Sequence, residues 1–508
     1  MSQPASLLWF ARHECRLAWR DWVYMMTAGR GRRFRSVAAG IAAFVFFLHG
    51  VAYFMVGAYA NVGADPGKTV LLIVTGNLLL SAALMLSQAM ESVTRAFYSR
   101  ADLDLILSSP ASARRLFSVR IGAMALSIQL MALLLTAPFI NVLALRGGWH
   151  WLGGYGVVIA IGMAATALAV AMTVGLFRAI GPKRTRLIAQ IVAAVIGAAF
   201  VIGLQVAAIL SYGTLSRLDF LTSETMRALT PDEGSMLWWP ARAMLGDAGA
   251  LLAICAAGMA LLGAAIAVFA PQFAELVISA GGSAHGAAQQ GHKSGFHCAA
   301  PMAALRRKEW TLLRRDPWLV SQTLMQLLYL LPPALLLWRN FAEGIDAAAL
   351  LVPVLVMAAG QLAGGLSWLA ISGEDAPDLI ASAPVLARQV MRAKIEAVMG
   401  AVALVFTPLV AGLALISPFA ALAAAIFVAV ATASATAIQF WFRSQAKRSH
   451  FRRRQTSSRV ATFAEALSSV GWAATGALAA MGNWFAVAVA LIVLGVLAGT
   501  RWLSPARA

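Results

Sequence analysis

Charge is what this sequence has least of. Aspartate, glutamate, lysine and arginine make up 12% of its 508 residues, about half the share carried by soluble globular domains. Acidic residues are the scarcest, 21 against 40 basic ones. Cysteine is nearly missing too. Cys15, Cys255 and Cys298 are too few and too scattered for a disulfide framework, and free thiols are expected. There is no G-x-x-x-x-G-K-S/T loop to cradle phosphates, no H-E-x-x-H, no C-x-x-C and no G-x-S-x-G. Each of these absences removes a common hydrolytic or redox chemistry. Gly181-Pro182-Lys183-Arg184-Thr185 is only a glancing likeness to a phosphate loop.

What the chain has in excess is apolar sequence: 60% hydrophobic residues and a mean hydropathy of +0.77. The net charge of +19 could suggest nucleic acid. Its distribution argues against that, because the basic residues cluster between apolar runs of membrane-spanning length. Basic loops of this kind are held on the cytoplasmic face, and their partners are anionic lipid headgroups and acidic protein surface. A spanning helix needs about 20 mostly apolar residues. Twelve segments qualify, at 37–60, 69–90, 117–141, 153–177, 187–211 and 243–270, then 319–338, 348–371, 391–414, 418–441, 461–481 and 484–502. The runs are too long and continuous for barrel strands. The fold class expected is therefore an all-α polytopic membrane protein of about 12 helices. The first 36 residues hold many arginines and no signal-peptide core, so the first apolar run reads as a retained span.

The loops can be sided. Arg12 to Arg35, Arg95 to Arg115, Lys183 to Arg186, Arg306 to Arg315, Arg388 to Arg392 and Lys447 to Arg454 all fall on one side under this count. The positive-inside rule makes that side the cytoplasm and places both termini there. The opposite loops carry Trp149, Trp151, Trp238, Trp239, Trp338 and Trp484, expected as an outer aromatic belt.

A charged motif occurs twice. Asp104-Leu105-Ile106-Leu107-Ser108-Ser109-Pro110 is followed by Arg114 and Arg120. Asp378-Leu379-Ile380-Ala381-Ser382-Ala383-Pro384 is followed by Arg388 and Lys394, each matched position 274 residues further on. A second repeat precedes the first span of each half. Glu14, Leu17, Arg20 and Asp21 match Glu309, Leu312, Arg315 and Asp316 at an offset of 295. Both stretches mix apolar residues with arginines, as a helix lying in the membrane interface does. Each half thus orders as interfacial helix, two spans, motif loop and four spans, which gives two parallel six-helix repeats. The expected division is a first half over 1–270, a flexible cytoplasmic linker over 271–304 and a second half over 305–508. His285, His292, His297 and Cys298 in the linker fit no metal-ligand spacing. The halves differ in one respect: residues 212–242 form a long outer segment, whose counterpart is a turn near Gly482-Asn483.

Lipid topology explains one loop rich in Ser, Pro and Arg. It does not ask for Asp-Leu-Ile twice at matched spacing, so the motif reads as a docking surface. Asp102 with Asp104 resembles the metal-holding pair of membrane glycosyltransferases, but Asp375 and Asp378 break the spacing. Ionisable residues deep in spans would mark ion pathways. Here they are few: His49 in mid-span, read as a packed or hydrogen-bonded histidine, and Asp247, Glu396 and Glu465 near span ends. Gln322, Gln326 and Tyr329 form a polar stripe before Pro332-Pro333. It can line a path or bond a neighbouring helix.

The interfacial residues Glu14, Arg20, Asp21, Glu309, Arg315 and Asp316, with the loop residues Asp104, Leu105, Ser108, Pro110, Arg114, Asp378, Leu379, Ser382, Pro384 and Arg388, resemble the permease subunit of a type-2 ATP-binding-cassette (ABC) exporter with its two halves fused in tandem. The resemblance implies coupling helices in the two loops, docked on two copies of a cytosolic ATP-binding subunit. It implies ATP and magnesium held by that partner with no cofactor on this chain, no ATPase activity of its own and no need to form a homodimer. It also implies the cytoplasmic (inner) membrane as location. The outer segment ending at Trp238-Trp239-Pro240 is similar to the family's extracytoplasmic region, and the second half lacks it. Two other readings stay open, a secondary transporter of two six-span repeats and a membrane enzyme acting on lipid-linked substrates.

Overall fold

The computed structural model describes residues 7–27, 34–56, 67–98, 112–212, 223–289, 300–315, 345–372, 382–442 and 459–502, with a few isolated positions between. The described residues are helical and contain no strand. In chain order the helices are α1 (Leu7–Thr27), α2 (Phe34–Val56), α3 (Lys68–Tyr98), α4 (Ala113–Gly147), α5 (Gly153–Tyr212), α6 (Glu224–Leu229), α7 (Trp239–Met244), α8 (Ala248–Gln289), α9 (Pro301–Arg315), α10 (Ile345–Ser372), α11 (Ala387–Ala414), α12 (Pro418–Trp441), α13 (Arg459–Ala480) and α14 (Phe485–Trp502). Among the described residues, nine helical segments are long and apolar enough to cross a membrane. Helices dominate because lipid offers no partner to a backbone N–H or C=O, so each segment must satisfy its own.

Nine of the twelve expected spans coincide with these segments. Of the other three, the first falls on α2, where Val45–Phe54 is a shorter apolar stretch. The seventh (319–338) lies almost wholly outside the described residues. The eleventh falls on α13, which is long enough but carries Glu465, Ser468, Ser469 and Thr475. Pro138, Pro353 and Pro408 sit inside α4, α10 and α11, as spanning helices tolerate. The turn between the fourth and fifth expected spans is a break within α5 at Gly181, whose positive φ of 75° glycine adopts without steric cost. The faint phosphate-loop likeness is this turn. Gly482, with φ 67°, makes the expected turn between α13 and α14.

Two compact units divide the chain. One contains Met1–Leu204 and Ser216–Gly291, the other Gln205–Leu215 and His292–Ala508. One boundary, Gly291 to His292, lies within 271–304, and two others set Gln205–Leu215 apart from the rest of the expected first half. However, α8 continues through Pro271 to Gln289, so the first part of the 271–304 segment is helix.

In the first unit, α3, α4, α5 and α8 enclose a core of Met85, Met90, Phe117, Ile121, Val170 and Phe177. A smaller core gathers Leu71, Leu72, Leu143, Trp151, Trp238 and Leu245. Trp151 and Trp238 are therefore interior, and the Trp238 indole donates to the Asp232 carbonyl at 3.1 Å. The expected aromatic belt is corrected at these two positions. They fill this smaller core, whereas Trp149 and Trp484 are exposed. In the second unit, α10 is the central helix, packed on α11, α12 and α13 around Leu355, Leu362, Leu366, Val402 and Phe406. Large exposed side chains such as Leu252, Met259, Leu404 and Leu491 suit a lipid surround rather than water.

Candidate functional site

The second unit shows how the motif loop is held. Amphipathic α9 packs on α11 and α10, with Leu313 in the core. Trp310 lies against Gly400, where an added Cβ would stand 3.0 Å from the indole. On the inner side of α9, Glu309 is 1% exposed. Its carboxylate meets the Lys394 ammonium of α11 at 3.0 Å and that of Lys308 at 3.2 Å. Lys394 is itself buried, and its Nζ donates to the Ala370 carbonyl at 2.5 Å. Ala370 is in the last turn of α10, where carbonyls lack an intrahelical partner and the helix end is electronegative.

One ammonium thus ties three elements: the amphipathic helix, the helix entering the motif loop and the helix leaving it. A charge buried this deeply is tolerable only when paired and hydrogen-bonded. Nearer the surface, Glu396 of α11 accepts from Arg306 of α9 at 2.6 Å and from Arg392 at 2.8 Å. The Glu396 carboxylate favours the protonated guanidinium, so Arg306 is held above its ordinary value. These pairs are exposed and contribute less than the buried one.

The described part of the loop is a tight bend. The Ala383 N–H donates to the Ile380 carbonyl, and the Gln389 side chain accepts from the Leu386 N–H. Ser382, Pro384, Leu386 and Arg388 are exposed, so the bend offers an apolar residue and a cation to solvent. The outward face of α9 holds Arg307, Trp310, Thr311 and Arg314 around a shallow hollow of about 620 Å³. A basic and aromatic face of this kind suits a headgroup layer.

In the first unit the matched positions are also buried. There α1 packs on α4. Glu14 on α1 is 8% exposed and Arg120 on α4 is 2% exposed. These are the positions that match Glu309 and Lys394 by the offsets of 295 and 274. Arg120 also lies over the Phe117 ring at 5.9 Å. Arg114 and Arg20 are exposed. Asp21 falls within α1 and Arg315 ends α9. Asp104, Leu105, Ser108, Pro110, Asp378, Leu379, Asp316, Gln322, Gln326 and Tyr329 lie outside the described residues, as does Cys298.

No protein-family model, curated protein or solved structure matches this chain. Its chemistry must be read from its own side chains.

Three further features bear on that reading. Cys15 and Cys255 are free thiols, as expected. His49 is hydrogen-bonded, also as expected: Nδ1 contacts the Val45 carbonyl at 2.8 Å and Nε2 contacts Asn141 Nδ2 at 3.2 Å. Asn141 in turn accepts from the Tyr155 hydroxyl at 2.6 Å, so a polar chain links α2, α4 and α5. One Asn and one Tyr in apolar runs carry no signal of their own, so Asn141 and Tyr155 are not legible as a pair in the sequence. Asp247 accepts from the Ala250 N–H at 3.0 Å and so closes the first turn of α8. Among the described residues, no group of three or more His, Cys, Asp or Glu is placed to hold a metal.

Proposed function

We propose that the chain is the membrane-spanning permease subunit of an ABC transporter, acting as an exporter. Its twelve spans form two parallel six-helix repeats, each begun by an interfacial helix. Both termini are cytoplasmic and the protein resides in the inner membrane. Two copies of a cytosolic ATP-binding subunit dock on the loops around Asp104 to Arg114 and Asp378 to Arg388. ATP and magnesium are held there, and this chain is the passive partner.

The observation that carries the reading is the anchoring of the second motif loop, together with buried residues at the matched positions of the first unit. In both units an amphipathic helix packs on the helix that leaves the loop. In both, a buried glutamate on the first helix matches a buried base on the second. A loop that merely turns the chain has no need of such fixing. A loop that transmits force must not be free to flex against its load, and Lys394 joins both of its ends to α9. The exposed residues of the bend, with Arg114 and Arg388, are then the grip. ATP-driven closure of the partner subunits would rock each unit through its anchored loop, in an alternating-access cycle.

Purification of the tagged chain from native membranes tests this. The expected result is co-purification of a soluble ATPase with phosphate-loop motifs, lost when Arg114→Glu and Arg388→Glu are combined. Transport that follows an ion gradient in vesicles holding this chain alone would refute it.

A further inference from the structure

The second unit contains a polar seam that the docking loops do not use. It lies where α13 meets α10 and α12. On α13, Glu465, Ser468, Ser469 and Trp472 share one face by their spacing of three and four residues. On α10, Gly360, Gly364 and Ser367 do the same, and on α12, Thr432, Thr436 and Gln439. The glycines let the polar side chains in. A Cβ at Gly364 would stand 1.7 Å from Glu465 Oε1, and one at Gly360 would stand 2.5 Å from Ser469 Oγ. Glu465 Oε2 accepts from the Gln439 amide at 2.5 Å, and the Trp472 indole donates to Ser434 at 3.0 Å. The hydroxyls of Ser367, Thr432, Thr436, Ser468 and Ser469 are 3% exposed or less and have no hydrogen-bond partner among the described residues. Buried hydroxyls left this way cost about 1–3 kcal/mol each; Ser469 sits at Gly360, on the face that carries Glu465, whereas Thr432 lines a cavity with Val402 and Phe406 of α11.

Among the described residues the charges around it are few; Arg443, Lys447, Arg448 and Arg452 to Arg454, in the segment between α12 and α13, lie outside them. α12 has no ionisable residue. α14 offers Arg501, which lies over the Trp441 ring at 5.3 Å. α10 has Asp346 at its far end, eighteen positions from Gly364, and α13 has Arg459 at its start. Among the described residues Glu465 makes no ion pair, and its hydrogen-bond donor is a neutral amide. Among the described residues an ionised carboxylate there has no compensating charge. A metal cation would need several oxygens. The carbonyls of α10, α12 and α13 are committed to their helices, and the seam supplies one carboxylate only.

We propose that Glu465 is a proton-binding site inside the second unit, its carboxyl neutral at physiological pH and set among the seam hydroxyls. The site is independent of the ATP-driven reading, since it lies within one unit and involves no docking residue.

The test is infrared difference spectroscopy of the full chain in lipid, titrated through neutral pH. The wild-type protein is expected to show the C=O stretch of a protonated carboxyl at pH 7, absent from Glu465→Gln. Gln439→Leu, which removes the amide donor, is expected to shift that band, so the test holds even where Glu465→Gln is poorly folded. Identical spectra for wild type and Glu465→Gln, no shift in Gln439→Leu, or a band that vanishes on adding sodium or potassium ions at fixed pH would each overturn the proposal.

Discussion

Replacing Lys394 by methionine is the sharpest probe of the loop anchor. The substitution keeps the length of the side chain and removes its charge. Two contacts go: the 3.0 Å pair with Glu309 and the 2.5 Å bond to the Ala370 carbonyl. Glu309, 1% exposed, is left with Lys308 at 3.2 Å. Stranding one partner of a buried pair costs about 3–5 kcal/mol, and the remaining lysine places the loss toward the lower end. Glu309→Gln alone is expected to destabilise as well. The double variant, with both charges gone, is expected to lose less than the sum, with a coupling of about 0.5–3 kcal/mol. Thermal unfolding of the purified chain in detergent supplies the four corners of the cycle. Limited proteolysis between residues 373 and 386 is expected to speed up in Lys394→Met. Strict additivity, with unchanged proteolysis, would refute the claim that this ammonium holds the loop.

Three more outcomes follow from the geometry. Arg114→Glu and Arg388→Glu, at exposed positions, are expected to change stability by no more than about 0.5 kcal/mol while lowering stimulation of the partner ATPase in a reconstituted complex. Gly181→Ala, at φ 75° and ψ 169°, a region essentially restricted to glycine, is expected to cost about 1–3 kcal/mol, read as a lower unfolding midpoint. Trp238→Ala opens a cavity in the smaller core of the first unit, where the indole is 3% exposed; a loss of about 3–5 kcal/mol is expected in the same unfolding assay.

Much of the architecture is legible in the sequence because lipid enforces it. A run of twenty apolar residues has few alternatives to a helix, so α3, α4, α8, α11 and α12 follow directly from run length. The amphipathic helices were legible from their matched Glu, Leu, Arg and Asp residues. What the sequence does not carry is the contact between distant helices. Lys394 was visible as the counterpart of Arg120, but its reach to Ala370 depends on how α11 packs on α10. Trp151 and Trp238 looked like belt residues because a tryptophan at a span end is compatible with either lipid or a small core. The seam was the least legible feature. Single serines, threonines and glycines are common in spanning helices, and only packing brings three such faces together. Glu465 reads as a span-end residue in the sequence, and only packing sets Gly364 and Gln439 beside it.

The central claim is that the two motif loops lie on one face of the membrane and are gripped together. Sided thiol labelling measures this directly. With Cys15, Cys255 and Cys298 replaced, Ser112→Cys and Ser382→Cys are probed with an impermeant maleimide in inverted and right-side-out vesicles. The account predicts that both positions label in inverted vesicles and neither in right-side-out ones. Labelling of one position from each face would contradict it.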